Sequence, residues 1–374
     1  MVVEVKSPPI TPRPYPSRSQ KLPWTREEVT PELLTDLLQN RYPDVAVESM
    51  ESVDYIDSHT TKWRMALTYN QAGIDAGLPR NVCLKSNFSG GFDDVDICML
   101  EAQFYYFAQP HMTVPMAKSY YADWDDDGKG HGLVILEDLI ELGGKFGHSL
   151  DDVGIDKFKL VLDGLAHLHS DLWGSPLLQQ WQWLPTSMAT PIDNDQIRIM
   201  QTWIDKNLEE KNFDDVLPRH FKDNPGKLQV AYDALAEWEH AQTTPLCINL
   251  GDCHQGNTYM RPDGTRIWLD WQLVRKGRPW RDLTYMMIGS LTVDERRKYE
   301  RELIAYYREQ LLSRGVSGVP SADDIFENYR RWVIYGMQAW VANMDHWGQT
   351  GKPMNERFFT AGEDLETWKA LGCR

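Results

Sequence analysis

The segment Gly251-Asp252-Cys253-His254-Gln255-Gly256-Asn257, followed by Ile267-Trp268-Leu269-Asp270-Trp271-Gln272, holds two carboxylates and a carboxamide that could do chemistry together. Transfer of a phosphoryl group from a nucleoside triphosphate asks for such a set: a carboxylate to orient the acceptor hydroxyl, and hard oxygen donors to hold a metal ion against the phosphates. Asp252 and Asn257 have the separation at which kinase loops carry a catalytic aspartate and a metal-binding asparagine. Asp270 closes the apolar run from Ile267 to Leu269, where its carboxylate would complete an oxygen site for Mg²⁺ with Asn257. An isolated Asp-x-x-x-x-Asn is common and is usually a solvated loop. The surroundings argue otherwise, because apolar Leu246 to Leu250, the turn Pro262-Asp263-Gly264 and the run before Asp270 predict a hairpin presenting all three groups on one edge.

The stretch resembles the His-Gly-Asp-x-His-x-x-Asn... Asp-Trp/Phe signature of aminoglycoside phosphotransferases, choline kinases and their relatives. Together with Gly277-Arg278-Pro279-Trp280-Arg281-Asp282-Leu283 it is most similar to the ecdysteroid-kinase-like group. The resemblance implies an α+β, bilobal, protein-kinase-like fold, with a small antiparallel β lobe and a larger, mainly helical lobe carrying a β insert. It implies Asp252 as catalytic base, Asn257 and Asp270 as Mg²⁺ ligands, ATP as donor, and Asp282 as a structural residue bonding back to the catalytic loop. One departure stands out: Leu250 occupies the position of the histidine that helps fix this loop in the family, so a less rigid loop is expected.

A nucleotide kinase also needs a lysine on the third strand to reach the α/β-phosphates and a helix glutamate to hold it. Lys85, in Val82-Cys83-Leu84-Lys85, and Glu101, in Met99-Leu100-Glu101-Ala102-Gln103-Phe104-Tyr105, suit these roles, although each alone would read as a solvated residue. The resemblance places a hinge at Val134 to Leu139, with Glu137 and Leu139 as nucleotide contacts, and the first large-lobe helix at Leu165-Ala166-His167-Leu168-His169 with Trp173. No Gly-x-Gly-x-x-Gly covers the phosphates. The turn Ser58-His59-Thr60-Thr61 offers hydroxyl and N–H groups instead, with Ser58 and Thr60 as contacts. Gly90-Gly91 is a poorer candidate, since Asp93, Asp94 and Asp96 would repel a triphosphate. His167 and His169, two apart on a helix, point to different faces and read as structural. His254 either positions the catalytic group or only bonds the loop.

These groups need elements to hold them. A Pro-rich, flexible arm is expected over 1–23, a nucleotide-binding lobe and hinge over 24–139, and a catalytic and acceptor-binding lobe over 140–374. Thr30-Pro31-Glu32 reads as an N-cap with proline at the first helical position, opening a helix through about Asn40. Strands are expected at Asp44 to Asp54, Lys62 to Tyr69, Asn81 to Asn87, Val114 to Ala122 and Gly132 to Leu136, with a helix from Asp93 to Ala108. Longer helices follow at Asp152 to Leu172, Gln196 to Glu210, Lys227 to His240, Thr292 to Leu312 and Ala322 to His346.

Composition narrows the function classes. With 374 residues, 42% hydrophobic and 25% charged, the chain has ample material for two packed lobes. Fifty-five acids against 39 bases give a net charge of -16, which argues against nucleic acid or an anionic membrane surface as partner. No apolar run reaches membrane-span length, and the N-terminal residues lack the apolar core of a secretory signal. Five cysteines without paired spacing read as reduced thiols in a cytoplasmic protein, a monomer or homodimer. Trp181, Trp183, Trp332, Trp340 and Trp347 would wall the acceptor side and favour an apolar or ring-bearing alcohol, although any one of them taken singly reads as helix-packing core. The acidic charge keeps an aminoglycoside- or choline-type cationic acceptor as an alternative. A protein kinase would need Asp-Phe-Gly and Ala-Pro-Glu landmarks, which are missing. A catalytically inactive nucleotide-binding scaffold has only Leu250 in its favour.

Overall fold

The computed structural model describes residues 11–15, 19–56, 60–88, 97–188, 226–342 and 348–373. It divides into two compact units: Met1–Lys145 with Gln182–Leu184 and Tyr259–Val274, and Phe146–Trp181 with Pro185–Thr258 and Arg275–Arg374. The division therefore differs from a single boundary at 139/140. The chain re-enters the first unit at the hairpin before Asp270, where the Trp268 N–H donates to the Pro115 carbonyl at 3.1 Å and Met116 bridges to Trp268. That attachment also explains why the expected strand from Val114 starts only at Ser119.

In the first unit the Thr30 hydroxyl accepts from Leu33 N–H with Pro31 at N1, so α1 (Pro31–Gln39) begins where its cap residues dictate. Leu33, Leu34, Leu37 and Leu38 recur at helical spacing and are buried together. β1 (Val47–Ile56), β2 (Thr61–Tyr69), α2 (Gln71–Asp75), β3 (Asn81–Ser86), α3 (Ile97–Gln103), β4 (Ser119–Trp124) and β5 (Gly132–Glu137) follow. The strands form one antiparallel sheet of order β1-β2-β3-β5-β4. α3 continues into a π-helical turn, Phe104–Ala108; the start of the expected helix, 93–96, lies outside the described residues. The described parts of the N-terminal arm are anchored rather than free. The Trp124 indole N–H donates to the Thr11 carbonyl at 3.0 Å, Tyr15 stacks on Tyr121, and Leu22 is buried with its N–H on Asp125.

The second unit is mainly helical. Its elements are α4 (Gly154–Asp171), α5 (Gly226–Ala241), β6 (Cys247–Asn249), then, beyond the hairpin β7 (Thr258–Met260) and β8 (Arg266–Trp268), β9 (Arg275–Gly277), α6 (Trp280–Ser290), α7 (Val293–Ser313), α8 (Ala322–Ala342) and α9 (Gly351–Asp364). β6 and β9 pair antiparallel, Asn249 opposite Arg275. α7 opens on a capping box between Thr292 and Glu295. Sequence periodicity missed α6 because every one of its residues is buried, which erases the amphipathic stripe. The helix expected at Gln196 to Glu210 and the end of the one expected to reach His346 lie outside the described residues. Among the described residues no helix is long and apolar enough to cross a membrane. The fold is α+β, an antiparallel sheet unit and a mainly helical unit, as expected.

Candidate active site

In the first unit, β3 and α3 bring a lysine and a glutamate face to face. Lys85 Nζ lies 2.7 Å from Glu101 Oε2, 2.9 Å from Oε1, and 2.6 Å from Asp270 Oδ1. Lys85 and Glu101 side chains are 5% and 2% exposed and that of Asp270 15%, so the cluster is shielded from water. Burial pushes Lys85 towards neutrality, but the carboxylates of Asp270 and Glu101 outweigh it and hold the pKa above the usual lysine value. The side chain stays an ammonium. For Glu101 burial is the larger influence, raising its pKa against the opposing pull of Lys85.

The chain around Asp270 is shaped to deliver its carboxylate here. Asp270 has φ 62 and ψ 65, a left-handed conformation that costs a non-glycine residue about 1–2 kcal/mol. The ion pair with Lys85, the Trp271 N–H donated to Glu101 Oε1 at 3.2 Å, and the Trp271 ring stacked 3.9 Å from Phe104 compensate. Next to it, the buried Thr60 donates its hydroxyl to Gln272 Oε1 at 3.1 Å, so that hydroxyl is already engaged. Ser58 and His59 lie outside the described residues, as do Gly90, Gly91, Asp93, Asp94 and Asp96.

Glu137 ends β5, and its Oε1 accepts from Lys118 N–H at 2.8 Å and lies 3.4 Å from Arg261. The Leu139 carbonyl accepts from the Tyr259 hydroxyl at 2.6 Å. Between them Asp138 takes Arg64 Nε on both oxygens and caps Ile140. The segment is fixed by its side chains, and contacts to a purine at Glu137 and Leu139 would fall to main-chain groups not already taken.

In the second unit Asp252 and Asn257 are joined directly. Asn257 Nδ2 donates to the Asp252 carbonyl at 2.8 Å and to its Oδ2 at 3.2 Å, which leaves the amide oxygen as the remaining donor atom for a cation. Gly256 N–H donates to His254 Nδ1 at 3.0 Å, so in the neutral ring the proton sits on Nε2, which faces Asp252 Oδ2 at 3.4 Å. His254 thus both bonds the loop and addresses the carboxylate. The Tyr285 phenol stands close enough to Asp252 to feel its charge. Burial, and then the Asp252 charge, keep that phenol protonated, well above the usual tyrosine value.

The loop itself is pinned through its main chain. Asp282, fully buried, accepts Leu250 N–H at 2.6 Å and Gly251 N–H at 3.2 Å. His169 backs Asp282 at 3.5 Å and pairs with the Tyr307 hydroxyl at 2.7 Å through its other nitrogen. The loose loop expected from Leu250 is therefore not what is seen. The anchoring groups are peptide N–H groups, which any residue at position 250 supplies, and the Leu250 side chain is buried. Tyr335 adds a hydrogen bond to the Gly251 carbonyl at 3.2 Å. Sequence reasoning missed Tyr285 and Tyr335. Tyr285 had one available signal, its place one helical turn after Arg281 on α6.

Trp332 and Trp340 are buried in this unit, Trp340 with its ring 6.4 Å from those of Tyr285 and His254. Trp181 and Trp183 are buried as well, Trp183 stacked on Phe107 in the first unit. Trp347 lies outside the described residues. The five cysteines are free thiols.

A family profile described as the ecdysteroid kinase-like family matches residues 92–314. No curated protein matches the chain. Among solved structures, the chain is similar to an ethanolamine kinase of Plasmodium vivax, at 12% identity and a TM-score of 0.51, over 86% of this chain and 84% of that one. It is also similar to choline kinase LicA of Streptococcus pneumoniae, at 14% identity and a TM-score of 0.48, over 86% and 94% of the two chains. At such identity the ethanolamine kinase speaks for the fold alone, and that fold is protein-kinase-like.

Proposed function

The chain belongs to the ecdysteroid kinase-like family, and on that premise we propose that it is an ATP-dependent phosphotransferase moving the γ-phosphoryl group to a hydroxyl of a small, ring-bearing alcohol. The observation that carries the reading is the buried Lys85 ammonium held by Glu101 at 2.7 Å and Asp270 at 2.6 Å. A lysine immobilised in this way is a fixed positive charge for α/β-phosphates, and its preorganisation costs nothing when the nucleotide arrives.

Asp252 orients the acceptor hydroxyl and takes its proton as the new O–P bond forms and the bond to the β-phosphate oxygen breaks, releasing ADP. Asn257 and His254 hold the Asp252 carboxylate for that task. The carboxylate of Asp270 and the amide oxygen of Asn257 are each hard oxygens of the kind Mg²⁺ takes, and few protein ligands suffice where phosphates and water supply the rest. When bound, the ion would neutralise charge on the β- and γ-phosphates. Buried aromatic residues around His254, Tyr285 and Trp340 among them, support an apolar, ring-bearing body for the acceptor.

ADP formation with Mg-ATP, measured across sterols, aromatic alcohols, choline-like amines and aminoglycosides, tests this directly. Turnover with the ring-bearing alcohols is expected. Turnover confined to the cationic acceptors would overturn the acceptor class, and none with any alcohol despite ATP binding would favour a scaffold.

A further inference from the structure

Asp252 is aimed by the backbone that carries it, and one dipeptide of α6 grips that backbone at both ends of Gly251. Asp282 accepts Leu250 N–H at 2.6 Å and Gly251 N–H at 3.2 Å. Its neighbour Arg281, 5% exposed, gives Nη2 to the Tyr335 hydroxyl at 2.6 Å and lays its guanidinium over the Tyr335 ring at 4.2 Å. The Tyr335 hydroxyl in turn donates to the Gly251 carbonyl at 3.2 Å. The direction of these bonds is forced. A guanidinium only donates and a carbonyl only accepts, so the single phenolic proton goes to Gly251 while the phenol oxygen receives Arg281. Donation from a charged group polarises the phenol, and that strengthens its own bond to the carbonyl.

Gly251 has φ 93, a conformation that favours glycine, and with no side chain it leaves the tilt of its peptide planes to hydrogen bonds. Its carbonyl belongs to the peptide that leads into Asp252. On the other side, the Asp252 carbonyl accepts from His254 N–H at 3.1 Å and from Asn257 Nδ2 at 2.8 Å. The backbone is thus held on both sides of the carboxylate, by the loop's own groups after it and by a side chain of α8 before it. A misplacement of about 1 Å at a reacting group can cost about 10²-fold in rate, so the tilt of that preceding peptide matters to the chemistry. We infer that Arg281 and Tyr335 form a positioning pair for Asp252, the guanidinium-backed phenol setting the plane of the Gly251–Asp252 peptide and with it the direction in which the carboxylate meets the acceptor hydroxyl. This rests on the reading of Asp252 as the group that orients that hydroxyl, and the pair acts through Asp252 without touching the reacting atoms.

The test is steady-state phosphorylation of a ring-bearing alcohol from Mg-ATP by the full chain and its variants. Tyr335→Phe keeps the ring and its stack with Arg281 and deletes only the hydroxyl. A fall in kcat of about tenfold is expected, with KM for ATP within about twofold of wild type. Arg281→Gln should lose kcat in the same way, and Arg281→Lys, which can still donate to the phenol, should recover part of it. The decisive comparison is made in Asp252→Ala, where no carboxylate is left to aim. There Tyr335→Phe should leave the residual rate unchanged, whereas a tyrosine that only supports the fold would lower it by the same factor as in wild type. Unchanged kcat in Tyr335→Phe, an equal loss in both backgrounds, or a loss confined to KM for ATP overturns the proposal. A second measurement needs no turnover: amide hydrogen exchange of the peptide from Leu250 to Asn257, expected to quicken in Tyr335→Phe and in Arg281→Gln. Exchange at the wild-type rate in both overturns the pair. If no alcohol is phosphorylated at all the kinase reading fails, and the exchange measurement still decides whether the pair fixes the loop.

Discussion

The two units hold their functional carboxylates in different ways. Asp270, in the first unit, is locked by opposite charge, with the Lys85 ammonium 2.6 Å away inside a water-poor cluster that also takes in Glu101. Asp252, in the second, is addressed by donor groups, the Asn257 amide and the His254 ring. Its side chain is 26% exposed, against 15% for Asp270. An ion pair fixes position and charge together, which suits a group that must hold a cation and phosphates in place. Hydrogen-bond donors fix direction while leaving the carboxylate able to accept a proton, which suits a base.

The widest separation between the two should come from removing the carboxylates. Asp252→Ala should lower kcat by about 10²–10⁴-fold, the range for a positioned general base, with nucleotide affinity little changed. Asp270→Ala should instead weaken Mg-nucleotide binding. Steady-state kinetics with an ATP titration distinguish them, and equal losses of nucleotide affinity would erase the contrast.

Stability should separate them next. Lys85→Met breaks a buried ion pair and strands Glu101, with an expected loss of about 3–5 kcal/mol. Glu101 already has a folded pKa raised above 4.5 by burial, and without Lys85 it would rise further. A carboxyl with a raised folded pKa favours the native state at low pH, and that contribution is lost as pH climbs through the folded value. The deficit of Lys85→Met should therefore be smaller near about pH 5 than near about pH 8 by urea unfolding. A deficit that grew on acidification would show that Glu101 is not the stranded group.

Removing a polar neighbour of Asp252 is a smaller perturbation. Tyr285→Phe keeps the buried ring and deletes the phenol oxygen that feels the Asp252 charge. With that polar group lost, kcat should fall by about tenfold or less at unchanged KM for ATP. A change in KM for ATP with kcat intact would move Tyr285 out of the Asp252 assembly.

What the amino-acid sequence made legible follows the same division. The cap at Thr30-Pro31, the capping box at Thr292 and Glu295, and the hairpin turn before Asp270 are written in adjacent residues, so local chemistry was enough to find them. Lys85 and Glu101 were legible because the sheet and the helix that carry them have their own periodicity. The aromatic neighbours of the loop were harder, since Tyr285 lies on a helix buried all round and Tyr335 comes from α8, with no pattern linking either to the loop. The anchoring at position 250 is not legible for a related reason: it runs from the peptide N–H to Asp282, which the residue type at 250 does not announce.

The finest test of the Asp252 assembly is steric. Gly256 donates its N–H to His254 Nδ1, and a Cβ built on Gly256 would stand 2.7 Å from His254 Cε1 and 3.1 Å from Ser149 Oγ. Its backbone is not in the left-handed region, so Gly256→Ala carries no conformational penalty beyond this crowding. The imidazole must therefore swing away from the new methyl and take Nε2 off its line to Asp252 Oδ2. The expected result is a fall in kcat of roughly two- to fivefold, equivalent to about 0.5–1 kcal/mol of transition-state stabilisation, with thermal stability within a few degrees of wild type. His254→Asn, which shortens the side chain and removes the ring the methyl would strike, should make the further change Gly256→Ala nearly silent. Additive losses in the double variant would mean that Gly256 acts on the loop by a route other than the imidazole, and that His254 does not set the direction of the carboxylate.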